Sequence, residues 1–194
     1  MLTLLQFRYS PYNEKARWAL DFKRVPHERR SLLPGPHMGE VRRRAVLAAL
    51  LATPGYFARV FGAGKGGITR AGYAAIVPLA RPVVKKGNGI TGAESIADGE
   101  RAIEEGLEFV AQRAAATGYL VGGQFTLADL VAAAVLATAV DPPGSPMARP
   151  QPMPAQFRAF IARFAGHPGA QWVRDIYARH RGASDDFEGP SPYR

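Results

Sequence analysis

The sequence predicts a mostly α-helical protein in which a short βαβ segment precedes an all-α helical bundle. Three observations predict this fold class. A strand-like stretch near the start leads directly into a helix-start signal, apolar residues recur at helical spacing over most of the remaining chain, and no convincing strand follows residue 32. The chain has 194 residues, of which 47% are hydrophobic and 21% charged, and this is enough apolar material for a sizeable core.

Local signals in the first 32 residues predict the βαβ segment. Residues 3–7 and 27–32 are predicted strands, and residues 11–22 are a predicted helix with an apolar face among charged residues. Ser10 suits an N-cap and Pro11 suits the first helical position, where a missing N–H costs nothing. This order of elements predicts a parallel strand pair with a right-handed crossover.

Helical periodicity and capping signals predict a series of helices after residue 40. The helix after residue 126 is apolar on nearly every side, so we expect it to be buried centrally. The predicted helical segments are residues 41–52, 56–61, 69–86 (capped by Thr69), 91–117 (with a capping box from Thr91 to Glu94) and 126–140, followed by one helix carrying Phe160 and one carrying Trp172. The predicted organisation is therefore a βαβ segment over residues 1–40, an all-α domain over 41–181 and a disordered tail over 182–194.

Composition excludes several classes of protein. There is no cysteine, which rules out disulfide scaffolds, thiolate metal sites and catalysis by a protein thiol. No apolar run is long enough to span a bilayer and no secretion leader is recognised, so we expect a cytoplasmic protein without a membrane partner.

The positive charge is concentrated in the first part of the chain. Residues 1–86 carry a net charge of +12 and residues 87–194 a net charge of −3. No aromatic residues interleave the Arg42–Arg44 triple, so we do not expect a nucleic-acid partner.

Three features that could indicate a cofactor, metal or catalytic site are interpreted as having no such role. Residues 62–67 satisfy the glycine spacing of a dinucleotide-binding loop, but the preceding segment is helical and no βαβ unit surrounds them. The four histidines lack metal-ligand spacing, so no metal site is expected. Thr126 and Asp129 have the spacing of a capping box, and we interpret both as structural caps.

Ser10 lies where a predicted strand meets a predicted helix, and its hydroxyl has two interpretations. On the simpler interpretation the hydroxyl only caps the helix. On the second interpretation the hydroxyl and the helix N-terminus together bind an anion such as a thiolate, and they lower the pKa of the corresponding thiol.

Residues 9–20, Tyr-Ser-Pro-Tyr-Asn-Glu-Lys-Ala-Arg-Trp-Ala-Leu, resemble the first strand-to-helix turn of glutathione S-transferases. Residues 122–129, Gly-Gly-Gln-Phe-Thr-Leu-Ala-Asp, resemble the C-terminal-domain signature of the same family. The resemblance implies that residues 1–40 are a partial, shortened thioredoxin-like domain and that residues 41–181 are the all-α transferase domain. The family's cis-proline loop and its acidic-residue–serine motif for glutathione are not recognisable between residues 33 and 45.

By the same resemblance, Ser10 is the catalytic residue that donates a hydrogen bond to the glutathione thiolate. Tyr9, Tyr12 and Asn13 would line the substrate site, and Tyr9 or Tyr12 is an alternative hydroxyl donor. The implied co-substrate is glutathione, the partner substrate is a small electrophile, and a homodimer is implied. The alternative hypothesis is a non-catalytic binding or scaffold protein that has lost the glutathione pocket.

Overall fold

The computed structural model describes residues 2–6, 10–31, 44–62, 66–182 and 189–190. It has the predicted architecture, a small N-terminal sheet followed by helices. The strands are β1 (Leu2–Gln6), β2 (His27–Ser31) and β3 (Gly189–Pro190), and the helices are α1 (Pro11–Phe22), α2 (Arg44–Leu51), α3 (Pro54–Phe61), α4 (Gly67–Gly87), α5 (Ala93–Ala114), α6 (Leu127–Val140), α7 (Ala155–Ala165) and α8 (Pro168–His180).

The N-terminal sheet has the strand order β1-β2-β3. Strands β1 and β2 are parallel, with Leu2 opposite His27 and Gln6 opposite Ser31, and α1 connects them as predicted. Strand β3 pairs antiparallel with β2, with Pro190 opposite Glu28. It lies within the segment that was predicted to be a disordered tail, and it adds a strand that the sequence did not predict.

The chain divides into two compact units. The first unit contains Met1–Leu32, Glu105–Ala148 and Arg163–Arg194, and the second contains Leu33–Glu104 and Arg149–Ala162. The predicted domain boundaries at residues 40 and 181 divide the chain by position in the sequence, whereas each compact unit combines separate segments. These boundaries stay a prediction.

Helix α6 is the centre of the first unit. It packs against α1 and α8, and its buried residues lie on more than one side, as the apolar composition predicted. Gly169 at the start of α8 lies so close to the Leu107 carbonyl that a Cβ there would overlap the backbone. Glycine at this position therefore allows α8 to approach α5 closely.

Helix α1 differs from its predicted packing. The predicted apolar face is largely half-buried, whereas Glu14, Arg17 and Asp21 are buried beside Trp18. The reason is that these charged side chains have partners inside the first unit, so their burial does not leave them unpaired.

The second unit contains α2, α3 and α4, with α3 packing against both of its neighbours. Helix α4 begins at Gly67, so Thr69 lies inside the helix and is not its cap. At the start of α5, the backbone N–H groups of Thr91 and Gly92 donate to Ser95 Oγ at 3.0 and 3.2 Å. Helix α5 begins at Ala93, and Ser95, not Glu94, accepts the Thr91 backbone N–H, so the predicted capping box of Thr91 and Glu94 is wrong. None of the described helices could cross a membrane, since none combines the necessary length and apolar character.

Candidate functional site

Ser10 is the N-cap of α1. Its backbone is extended, with φ −95° and ψ 119°, and Pro11 begins the helix. The Asn13 backbone N–H donates to Ser10 Oγ at 3.4 Å, and Ser10 is only 7% exposed. This geometry satisfies a donor at the helix end, and it places a hydroxyl at the electropositive end of α1.

The other predicted substrate-binding residues have different surroundings. Tyr9 lies outside the described residues. Tyr12 is exposed, and Lys15 Nζ lies 4.3 Å from the centre of its ring. Asn13 is half-buried and meets Ser10 through its backbone N–H. The structure therefore brings Asn13 to Ser10.

One turn into α1 begins a group of buried, oppositely charged side chains that the sequence did not reveal. We call it the buried ion cluster, and it consists of Glu14, Arg17, Asp21, Arg29 and Arg181. Arg17 Nη2 donates to Glu14 Oε2 at 2.6 Å, and Arg181 Nε donates to Glu14 Oε1 at 2.5 Å. Arg181 Nη1 donates to Asp21 Oδ2 at 3.1 Å, and Arg29 pairs with the other oxygen of Asp21. Arg181 therefore joins both carboxylates of α1 to the end of α8.

Polar side chains from the two parallel strands extend this cluster. Arg17 Nη1 donates to Gln6 Oε1 at 2.8 Å, and Arg29 Nε donates to His27 Nε2 at 3.0 Å. His27 Nδ1 lies 2.7 Å from the Val25 carbonyl, which fixes the tautomer with the proton on Nδ1. Gln6, His27 and Arg29 are all buried. The face of the strands toward α1 is therefore polar and hydrogen-bonded.

The charges within the buried ion cluster do not cancel, because three guanidinium groups face two carboxylates. Burial lowers the pKa of Arg17 despite the opposing effect of Glu14. Burial also acts to lower the pKa of Arg181, but Glu14 and Asp21 outweigh it and raise that pKa. Arg181 thus depends on the two α1 carboxylates for its stabilisation in the interior.

An aromatic group centred on Trp18 lies beside Arg181, on the same side of α1 as Glu14 and Asp21. Trp18 stacks on Phe125 with 5.7 Å between ring centres, and it meets Tyr177 edge-on at 4.9 Å. The Arg181 guanidinium lies 5.6 Å from the Trp18 ring centre. The Trp18 indole N–H donates to the His180 carbonyl at 3.2 Å. These contacts hold the end of α8 against α1.

Thr126 and Asp129 lie at the start of α6. Asp129 is fully buried, and its Oδ2 accepts from the backbone N–H and the hydroxyl of Thr126, both at 2.8 Å. Its Oδ1 accepts from the Leu120 N–H at 2.8 Å. Asp129 therefore accepts three hydrogen bonds, which fix the start of α6 and the preceding loop. Within the described ranges, no group of three or more His, Asp or Glu side chains could hold a metal ion.

The buried ion cluster was missed because its members are far apart in the sequence. Glu14, Arg17 and Asp21 look like a solvated helix face, and the partner Arg181 lies 167 residues from Glu14. A local signal did exist. The i, i+3 spacing of Glu14 and Arg17 predicts an ion pair, although it does not predict burial.

Residues 93–163 match the family model described as Glutathione S-transferase, C-terminal domain. The match covers α5, α6 and most of α7, and it includes the Thr126 and Asp129 signature but not Ser10. No curated protein matches the chain, and no solved structure does. The match over residues 93–163, which is less than half of the chain, supports a glutathione S-transferase-like family.

Proposed function

We propose that this protein conjugates glutathione to a small electrophile, and that the Ser10 hydroxyl stabilises the glutathione thiolate. The observation that carries the proposal is the position of Ser10 at the N-terminal end of α1. The family match to residues 93–163 supports it independently, because it lies in a different part of the chain. The cytoplasmic location and the homodimer stay predictions.

The chemistry requires one hydrogen-bond donor and a positive potential. A free thiol titrates at ~8.5, and a helix N-terminus or a donated hydrogen bond lowers that value. The bond from Asn13 to Ser10 uses an oxygen lone pair, and a hydroxyl carries a donor proton as well. The thiol proton passes to solvent, and the sulfur then forms a bond to the electrophilic carbon as the leaving group departs with the displaced electron pair.

The buried ion cluster would serve this reaction by fixing α1. Glu14 lies one turn after Ser10, and its backbone N–H donates to the Ser10 carbonyl at 2.8 Å. Because Arg17 and Arg181 hold the Glu14 carboxylate, the first turn of α1 is anchored in the first unit. The net charge of +12 on residues 1–86 suits a co-substrate with two carboxylates, as glutathione has.

A second candidate is a non-catalytic binding or scaffold protein. Two observations favour it. The Ser10 hydroxyl already acts as a helix cap, and the family match is confined to residues 93–163, away from Ser10. On this candidate Ser10 contributes to stability and not to turnover.

Calorimetric titration with glutathione, followed by Ser10 variants, separates the two candidates. Ser10→Thr keeps the hydroxyl and the cap, Ser10→Gly keeps a tolerated cap residue without any side-chain donor, and Ser10→Ala loses both. If Ser10 stabilises the thiolate, the Gly and Ala variants lose turnover with a chloronitrobenzene by about 10²-fold, while Thr retains most of it. The thiolate absorbance of bound glutathione should then titrate at higher pH in the Gly and Ala variants.

Stability measurements provide the control. Ser10→Ala should lower the free energy of unfolding by ~1 kcal/mol, whereas Ser10→Gly should lower it by only ~0.3 kcal/mol. Full turnover in the Gly variant would remove the hydroxyl from the mechanism. A folded chain that does not bind glutathione would favour the scaffold protein.

A further inference from the structure

Helix α4 exposes an apolar stripe, which we define as Ile68, Ile76, Leu79 and Val83. These residues are 93%, 60%, 81% and 68% exposed, respectively. At about 100° per residue, all four lie within about 80° of arc on the helix, so they form one continuous face. Contiguous exposed aliphatic surface of this kind marks an interaction site more often than scattered single residues do.

The stripe is not the face by which α4 joins its own unit. Val77 is 4% exposed and lies on the opposite side of the helix from the stripe. Helix α4 packs against α3. The helix thus has one apolar contact to its own unit and a second apolar face directed to solvent.

Charge around the stripe has a single sign. Helix α4 contains Arg70, Arg81, Lys85 and Lys86 and no acidic residue. The acid-free stretch extends over residues 41–93, which carry nine Lys and Arg and no Asp or Glu. Lys86 is exposed and falls on the same face as the stripe, at its C-terminal end. Lys85 lies between the two faces, and Arg81 falls on the side of Val77. An anionic partner that accepts aliphatic side chains therefore suits the stripe and the two lysines at its C-terminal end.

We propose that α4 is a peripheral binding site for an anionic lipid surface, with the stripe inserted among the lipids and Lys85 and Lys86 near their headgroups. A basic amphipathic helix binds such surfaces in this way, lying in the interface plane without crossing the membrane. The expectation of no membrane partner rested on the lack of a spanning segment, and it does not address a helix lying on a surface. The inference does not depend on the proposed function.

Two other occupants fit the stripe less well. A second copy of this chain would bring residues 41–93, with nine Lys and Arg and no Asp or Glu, against an identical stretch, and this like-charge repulsion disfavours the pair. A folded acidic protein would need more contact area, because standard interfaces bury about 800 Å² per partner around aromatic and arginine anchors. The stripe offers four aliphatic side chains on a convex helix, and it has no aromatic anchor.

Vesicle flotation of the full chain tests the proposal. The probes are vesicles of equimolar phosphatidylcholine and phosphatidylserine, and vesicles of phosphatidylcholine alone. We expect binding to the anionic vesicles, weakening as salt is raised, and little binding to the neutral ones. Ile76→Asn with Leu79→Asn should reduce the affinity at least tenfold, and Lys85→Gln with Lys86→Gln should reduce it severalfold.

Matched controls lie elsewhere on the surface. Val121→Asn changes an exposed aliphatic residue in the first unit, and Lys23→Gln changes an exposed lysine after α1. Both should bind anionic vesicles as the unmodified chain does, and circular dichroism should show that every variant is folded.

Three results would overturn the proposal. The first is a folded chain that does not bind anionic vesicles, and the second is binding that the stripe variants leave unchanged. The third is self-association, or capture of an acidic helical peptide, that requires the stripe while vesicles are not bound. That result would assign the stripe to a second copy or to a protein partner.

Discussion

Helices α1 and α4 depart from the usual relation between polarity and burial in opposite ways. Helix α1 buries Glu14, Arg17 and Asp21, whereas α4 leaves Ile68 and Leu79 almost fully exposed. The charges of α1 are tolerated because Arg29 and Arg181 pair with them. Ile68 and Leu79 have no comparable cover among the described residues of their unit. Burial thus follows from the available partners as much as from residue type.

The largest expected effect comes from removing the partner that α1 depends on. Arg181→Met leaves Glu14 and Asp21 buried with one guanidinium fewer, so we expect the free energy of unfolding to fall by ~3–5 kcal/mol. Chemical denaturation measures this. Arg179→Met is the matched control, because Arg179 is exposed on the same helix and should matter much less. Equal losses in the two variants would show that the buried ion cluster does not stabilise the fold.

An intermediate effect on stability is expected from replacing one glycine by alanine in α8 and, separately, one in α4. Gly169→Ala places a Cβ against the Leu107 carbonyl, so we expect a loss of ~1–3 kcal/mol or more in the free energy of unfolding. Gly72→Ala on α4 meets nothing within 4 Å, and alanine's higher helix propensity should stabilise by ~0.5–1 kcal/mol. Thermal or chemical unfolding should give opposite signs. The same sign would contradict the difference in packing between α8 and α4.

The smallest effect concerns His180, which lies beside Arg181. Burial, aided by the charge of Arg179 and opposed by Asp129, lowers the pKa of His180. The unfolded chain then binds a proton more readily than the folded one as pH falls through ~6.5, so His180 makes the fold less stable toward acid. His180→Gln should flatten this part of the stability–pH curve. An imidazole that titrates by NMR at or above its usual pKa would contradict the expectation.

Local signals predicted much of the fold. Ser10 and Pro11 marked the start of α1 correctly, since capping and the geometry of proline act within one turn. The match over residues 93–163 agrees with the resemblance seen around Thr126 and Asp129.

Features that depend on contacts between distant parts of the sequence could not be predicted from local signals. Gly189 and Pro190 have no strand propensity, and their pairing with β2 depends on a partner about 160 residues earlier in the chain. The sequence of α4 is apolar on two sides, so periodicity could not tell which side faces solvent. For the candidate site, the cap position of Ser10 was predictable, whereas the anchoring of α1 by Arg181 was not.

The pairing of Arg181 with α1 has a consequence for the order in which the protein is made. Glu14 and Asp21 leave the ribosome long before Arg181, whose partners lie 167 and 160 residues earlier. At ~5–20 residues per second the delay is on the order of ten seconds. During that time α1 lacks the cation that bridges its two carboxylates, and water must solvate the two oxygens that Arg181 later binds. Helix α1 therefore reaches its final environment only after α8 and Arg181 have been translated.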